Sequence, residues 1–410
     1  MENILGENKV EKYIEETKDN LYIEDLFGRV QIYGNYQNFK MEEFVSGIPI
    51  SIKGKLDQKG SFLFDDFLFY SNDKYDENND EQKNNDQNAH LNNQNEILNE
   101  KDVHNKISTD KELIDKIDNF NNINNNINNN NLILFISNLN FGKSLDYNNE
   151  LKSSIITILI DFIQNQNNIS NFFYPFSKRI CRIIFVGNSL NTFESEIEKK
   201  LNFNSSTFSL KDINEKIIDN YSSFNEFLKI ISNYIYIDVM PSLNSNDDLK
   251  FPQNPLNKLL FTENIDNINL SSLKLVTNPY FFEIFISSTN KKKSFIGTSG
   301  ENIKIIKQFS SIDNNIDIMK KNLEWRHLCP INPSYSSLYS IDNKTDPLII
   351  NKMPDVYFIS GNKDFNYEKI KIYNKEIFLL SLPDFNKTYK CVLYNYEDDS
   401  IKDIDFSFNF

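Results

Sequence analysis

Three histidines, His90, His104 and His327, set the limit on the metal and acid–base chemistry of this 410-residue chain. His90 and His104 sit in an asparagine-rich tract, so the apolar, strand-forming part of the sequence holds His327 alone. A two-metal site for phosphoester hydrolysis needs Asp, His and Asn ligands from several strand ends, with the metals about 3.5–4 Å apart. As a pattern that chemistry is D-x-H after the first strand, G-D after the second, G-N-H-D after the third, and a late G-H-x-H. At the corresponding loops this chain has Ser137-Asn138-Leu139-Asn140, Gly187-Asn188-Ser189, Met240-Pro241-Ser242-Leu243-Asn244 and Gly361-Asn362-Lys363-Asp364. Asn138, Asn140, Asn188, Asn362 and Asp364 are therefore degenerate ligand positions. Lys363 adds a cation where a metal needs anions. The expectation is no catalytic residue, no bound metal and no cofactor.

Other reactive side chains offer little more. Cys181, Cys329 and Cys391 have no CxxC spacing, which argues against a zinc site and against a disulfide framework, and fits a reducing compartment. There is no G-x-S-x-G, and no spare histidine to act as base for a serine. His327, in Glu324-Trp325-Arg326-His327-Leu328-Cys329-Pro330, reads as a hydrogen-bonded core residue. Gly297-Thr298-Ser299-Gly300-Glu301-Asn302 resembles a glycine loop opening a helix over 302–309. It could hold an anion on backbone N–H groups. Lacking the spacing and lysine of a P-loop, it reads better as a tight structural turn.

The elements that must position these loops are legible as hydrophobic runs. Residues 132–137, 182–186, 234–239 and 273–277 are apolar strands, each ending in a polar or Gly/Pro loop. Residues 281–285, 294–297, 356–360 and 377–381 look like further strands. Helical spacing marks 151–163, through Leu151, Ile155, Ile158, Leu159 and Phe162, and 221–231. Continuous apolar strands alternating with helices predict sheets covered by helices, with loops beyond the strand ends as the place for a site.

Residues 1–72 form a separate β-rich unit, with strands at 29–33, 47–54 and 61–70 and a turn at Gly60. Three strands make a thin barrel, which is expected to lean on something else. Its aromatics, Phe62, Phe64, Phe67 and Phe69, could stack on single-stranded nucleic acid. Asp65 and Asp66 interrupt them, and core packing is the better use. Residues 73–131 form an Asn-rich insertion of low complexity that is expected to be disordered, with a short helix possible over 110–117. It reads as a surface insertion in preference to a partner-recruiting tail.

Net charge is −14, and half of the excess lies between Asn72 and Asn131, where 13 acidic residues face 6 basic ones. A chain this acidic is poorly suited to binding duplex DNA directly. The N-terminus has no apolar segment of a secretory signal, and the longest apolar run, 155–163, is far below the roughly 20 residues of a membrane span. A soluble intracellular protein is expected.

The order of several segments resembles the second (B) subunit of DNA polymerase delta, within the polymerase alpha/delta/epsilon B-subunit family. They are Ile237-Asp238-Val239-Met240-Pro241, Leu275-Val276-Thr277-Asn278-Pro279-Tyr280, Gly297-Thr298-Ser299-Gly300-Glu301-Asn302, Arg326-His327-Leu328-Cys329-Pro330, Lys344-Thr345-Asp346-Pro347 and Val356-Tyr357-Phe358-Ile359-Ser360-Gly361-Asn362. Phe251-Pro252-Gln253-Asn254-Pro255-Leu256 and Leu382-Pro383-Asp384-Phe385 also fit, as does Lys12-Tyr13-Ile14. The resemblance implies an α/β protein: a partial OB-fold domain (1–72) ahead of a calcineurin-like phosphoesterase domain that is catalytically inactive (132–410). It implies a non-catalytic scaffold subunit of DNA polymerase delta, nuclear, that binds the C-terminal domain of the catalytic subunit. A third accessory subunit commonly joins, and DNA and the sliding clamp are met only through the complex. Family members carry a longer segment before the position of Lys12, where this chain has eleven residues. The alternatives are an active metallophosphoesterase or nuclease, and the corresponding second subunit of polymerase alpha or epsilon.

Overall fold

Two β-sheets stacked face to face, with helices on both outer surfaces, make up the larger part of the molecule. The computed structural model describes residues 12–14, 20–34, 43–58, 60–69, 131–142, 149–164, 174–190, 210–242, 251–261, 271–332, 346–372 and 374–407. The expected disordered insertion, apart from its last residue Asn131, lies outside them, as do His90, His104 and the helix at 110–117.

The first sheet has six strands: β5 (Leu132–Ser137), β6 (Ile180–Val186), β7 (Tyr236–Val239), β8 (Leu273–Leu275), β14 (Lys390–Asn395) and β15 (Ile401–Asp405), in the order β15-β14-β5-β6-β7-β8. Strands β5 to β8 are parallel, and β14 runs antiparallel to both of its neighbours. Strand β5 reads as an unbroken apolar run because both of its faces are covered. Leu132, Leu134 and Ile136 enter an outer core with Ile155, Leu159 and Phe162 of helix α1 (Asn149–Ile163) and Phe224, Phe227 and Leu228 of helix α2 (Leu210–Ser232). Ile133 and Phe135 point the other way, into the layer between the sheets.

The second sheet is ordered β12-β13-β11-β10-β9, from β9 (Tyr280–Ile286), β10 (Lys291–Thr298), β11 (Val356–Asn362), β12 (Asn366–Ile372) and β13 (Lys375–Pro383). Its central strands β10, β11 and β13 are parallel, and antiparallel strands flank them. Val356 and Phe358 of β11 face the intersheet layer, where the Phe358 ring lies 4.8 Å from that of Phe135. Tyr357 and Ile359 face a third core, shared with helices α3 (Glu301–Gln308) and α4 (Asn315–Glu324) and with buried Trp325. Asn314 caps α4, its side-chain oxygen accepting from the Ile316 N–H.

Among the described residues the N-terminal unit has four strands where the sequence suggested three. Strands β1 (Leu21–Glu24), β2 (Arg29–Gly34), β3 (Ile50–Leu56) and β4 (Phe62–Phe69) are ordered β1-β2-β4-β3, with β2 and β4 parallel. The four-residue β1 escaped notice because such a short alternation carries little signal. The unit does lean on the rest: Val45 belongs to the core under α3 and α4, the Tyr13 ring stacks on Phe309 at 5.3 Å, and Lys12 pairs with Asp313 at 2.8 Å.

Other elements differ from expectation in informative ways. Helix α2 begins at Leu210, eleven residues before the expected start at Tyr221; Leu210, Ile213, Ile217 and Tyr221 keep the helical spacing through that first half. Helix α4 was missed, as were β12, β14 and β15. Strand β12 is mostly exposed and charged, and its conformation comes from pairing along β13.

Candidate functional site

All the parallel strands of both sheets end on one side of the molecule, and the loops singled out above converge there. Asn138 follows β5, Gly187-Asn188 follows β6, Pro241 follows β7, Ser299-Gly300 follows β10, Gly361-Asn362 lies at the end of β11, and Asp384 follows β13. Ser137, from the six-stranded sheet, bridges to Asp384, from the five-stranded sheet. The Ser137 hydroxyl also accepts from the Gly361 N–H at 3.2 Å. Two polar contacts continue the seam: Ser299 Oγ donates to the Pro241 carbonyl at 2.5 Å, and Ser360 Oγ donates to the Ser299 carbonyl at 2.9 Å.

The asparagines do two jobs here. Asn138 and Asn140 have φ of 50° and 48°, a left-handed backbone that asparagine tolerates better than most side chains. Their amides then tie the loops together: Asn138 Oδ1 accepts the Asn188 N–H at 2.9 Å, and Asn140 Oδ1 accepts from Asn188 Nδ2 at 3.4 Å. Gly187, at φ 81°, passes so near that a Cβ there would sit 2.3 Å from Asn138 Oδ1 and 2.4 Å from Ser360 Oγ. Asn362 joins through its carbonyl, which accepts the Asp384 N–H at 2.8 Å. Asp364 stands apart, exposed, with no hydrogen bond to the set among the described residues. Leu243 and Asn244 of the third loop lie outside those residues.

This donor set can be tested against a two-metal centre. Asn138 Oδ1 and Asn140 Oδ1 are already occupied as acceptors. Two carboxylates lie at the convergence: Asp384, whose Oδ2 lies 3.2 Å from Lys387 Nζ, and buried Glu301, whose Oε2 accepts from Asn278 Nδ2 at 3.4 Å. Divalent pairs need several anionic or imidazole ligands to offset their charge. A set made mostly of amides and hydroxyls bonded to one another, with Asp384 and Glu301 as its carboxylates and Asn188 Oδ1 and Asp384 Oδ1 left without a hydrogen bond among the described residues, falls short of that requirement. Among the described residues no group of three or more His, Cys, Asp or Glu side chains lies together.

Residues not singled out as site positions complete the convergence. Ser299 and Gly300, read as a separate turn, prove to be part of it: a Cβ at Gly300 would lie 2.5 Å from the Ser360 carbonyl oxygen. Behind this turn Asn278 is fully buried, donating to Gln253 Oε1 at 2.8 Å and accepting the Ser299 N–H at 3.2 Å. Asp384 is buried too, with Oδ1 lacking a hydrogen bond among the described residues. Deeper in β7, burial raises the pKa of Asp238, against the opposing effects of Arg182 at 3.6 Å and a hydrogen bond from Tyr280 at 3.0 Å. The signal for these residues was their place in the motif series; nothing local in the sequence marks them as neighbours.

His327 is the core residue expected of it. Its Nε2 lies 3.0 Å from Asp346 Oδ2, and its Nδ1 accepts the Cys329 N–H at 3.1 Å. Those bonds fix the neutral tautomer with the proton on Nε2. Burial pushes the Cys329 thiol up to about 12, so it stays protonated and unreactive.

Comparison with known proteins gives the following. Residues 133–367 match the family profile of the DNA polymerase alpha/epsilon B subunit, and residues 2–67 match one described as the DNA polymerase delta subunit OB-fold domain. A DNA polymerase delta small subunit from Saccharomyces cerevisiae is 28% identical over 216 residues, which is 47% of this chain and 44% of that protein. The protein of the same name from Oryza sativa is 23% identical over 393 residues, 96% of this chain and 75% of that protein. The Arabidopsis thaliana one is 28% identical over 232 residues, 56% of this chain and 48% of that protein. The match thus spans less than half the length of the yeast and Arabidopsis relatives. Among solved structures, an archaeal phosphodiesterase aligns over 67% of this chain and 99% of its own, at 11% identity and a TM-score of 0.29.

Proposed function

This chain belongs to the DNA polymerase alpha/epsilon B-subunit family, and from that premise we propose that it is a non-catalytic scaffold subunit of DNA polymerase delta. The delta assignment is supported by the relatives of that name and by the match of residues 2–67 to the delta OB-fold profile. The observation that carries the scaffold reading is the strand-end convergence. The loops meet as in an α/β site, and the groups that meet there are amides and hydroxyls bonded to each other in place of metal ligands. We read residues 132–410 as an inactive phosphoesterase-like domain and 1–72 as a partial OB fold docked on it. Residues 73–131 are read as an insertion.

In this reading the chain binds the C-terminal domain of the catalytic subunit, in the nucleus. It meets the sliding clamp and DNA through the assembled polymerase, with a third accessory subunit as a further partner. An interface that holds an obligate partner is expected to be large and apolar at its centre. Co-expression with the catalytic subunit's C-terminal domain should then give a monodisperse complex, whereas the chain alone aggregates. Equal monodispersity with and without that domain would sink the scaffold reading.

An active phosphodiesterase is the competing reading. Purified protein with added manganese is expected to leave a nitrophenyl phosphodiester intact. Hydrolysis lost on Asp384→Ala in a protein that still folds would establish an active site instead. A stable complex with the alpha or epsilon catalytic subunit, and none with delta, would keep the scaffold role and change the assignment.

A further inference from the structure

The turn that joins β1 to β2 carries the two most exposed large apolar side chains among the described residues, Leu26 at 98% and Phe27 at 96%. A closed turn holds them out. Asp25 Oδ1 accepts the Phe27 N–H at 2.8 Å and the Gly28 N–H at 2.9 Å, and the Asp25 N–H donates to the Gly28 carbonyl at 3.0 Å. Aspartate commonly fixes its own turn in this way. Apolar residues exposed singly are ordinary, whereas an ordered adjacent pair concentrates apolar surface at one point, as contact sites do.

A matching hollow lies at the other end of the same strand. A cavity of about 480 Å³ opens beside the N-terminal sheet, walled by Ile32, Val45, Phe64 and Phe309. Asn20, where β1 begins, and Ser46 are exposed at its mouth. Pockets of about 300–1,000 Å³ enclose whole small ligands, so a cavity of this size has room for two side chains. Strand β1 is also an edge: it pairs with β2 on one side, and no described residue pairs with it on the other.

We propose that this hairpin is a contact between two copies of the chain, each inserting Leu26 and Phe27 into the other's cavity. The knob and the hollow are offset by the length of β1, which is the offset a two-fold axis needs. Antiparallel pairing of β1 with its copy, in the register that sets Tyr22 opposite Ile23, also sets Leu21 opposite Glu24 and Asn20 opposite Asp25. The turn of each copy then arrives at the mouth of the other's cavity. No two like charges stand directly opposite in that register. The contact is the same patch on both copies, so it closes at a dimer and builds no fibre. A different protein would engage the knob or the hollow. A second copy engages both at once and leaves neither exposed. The proposal holds whether or not the chain serves a polymerase.

Two full-length copies with different tags, co-expressed with and without the catalytic subunit's C-terminal domain, test it. In the monodisperse fraction each native copy should retain the other on its affinity resin. The Leu26→Asp, Phe27→Asp double variant, changed only at exposed positions, should lose retention among its own copies. Ser46→Trp, which blocks the mouth, should lose it too; Asn20→Trp takes its place if Ser46→Trp lowers the melting temperature. A mixture of the knob variant with the mouth variant should regain retention, because each mixed pair has one intact knob facing one intact hollow. Native copies that do not retain each other, retention indifferent to either variant, or a mixture that fails to restore it would each overturn the proposal. So would loss of the catalytic domain from the double variant while native copies never retain each other, since that makes the catalytic subunit the occupant. Failure of the catalytic domain to co-purify, with self-retention and its restoration intact, would refute the polymerase reading and leave this one standing.

Discussion

At the scale of single residues, the convergence is held together by short polar side chains. Asparagine tolerates the left-handed turn geometry at Asn138 and Asn140 and supplies a neutral donor and acceptor there. Gly187 shows how tightly the loops meet. Gly187→Ala forces a side chain into a left-handed backbone and into contact with Asn138 and Ser360, and should cost about 1–3 kcal/mol in chemical denaturation. His327 gives a pH signature. Burial holds its pKa below the ordinary 6.5, against the pull of Asp346. The unfolded chain therefore takes up a proton at a higher pH than the folded chain does. Stability from this residue is complete above about pH 6.5 and declines as pH falls from there toward the folded value. The melting temperature should drop over that window, and His327→Gln should flatten the drop. An unchanged slope in the variant would assign the effect elsewhere.

At the scale of elements, the layers are held by aromatic clusters. The Phe224 ring on α2 lies within 6.5 Å of the rings of Phe141, Phe185, Phe227 and Phe261, so one side chain joins helix, strand and loops. Phe224→Ala should cost about 3–5 kcal/mol, whereas Ile218→Lys, at a 58% exposed position of the same helix, should stay within about 0.5 kcal/mol. Equal losses would mean that α2 contributes little to the core. Which elements exist was largely legible. Strands such as 132–137 announce themselves because both faces are buried. Strand β12 does not, because pairing along β13 imposes its conformation on a mostly polar sequence.

At the scale of the whole molecule, the N-terminal sheet depends on the larger unit. Gly47 marks the closest approach, where a Cβ would meet the Pro330 carbonyl oxygen at 2.0 Å. Gly60 has a similar φ, 83° against 89°, with nothing within 4 Å. The two alanine variants therefore share backbone strain and differ in the clash. Gly47→Ala should speed limited proteolysis within the N-terminal unit, and Gly60→Ala should do so far less. Equal sensitivity would show that backbone strain alone is responsible.

The sequence by itself determined the residue inventory. One histidine outside the asparagine tract, three cysteines without CxxC spacing and loops of asparagine and serine follow from composition and spacing, and the order of the motifs marked the family. Only the tertiary structure decided how these pieces meet. Ser299, Gly300, Ser360 and Asp384 are separated by up to 85 positions, yet they close one seam because parallel strands from two sheets end on the same side. Local propensity carries no information about that juxtaposition. It arises from burying both faces of each sheet at once.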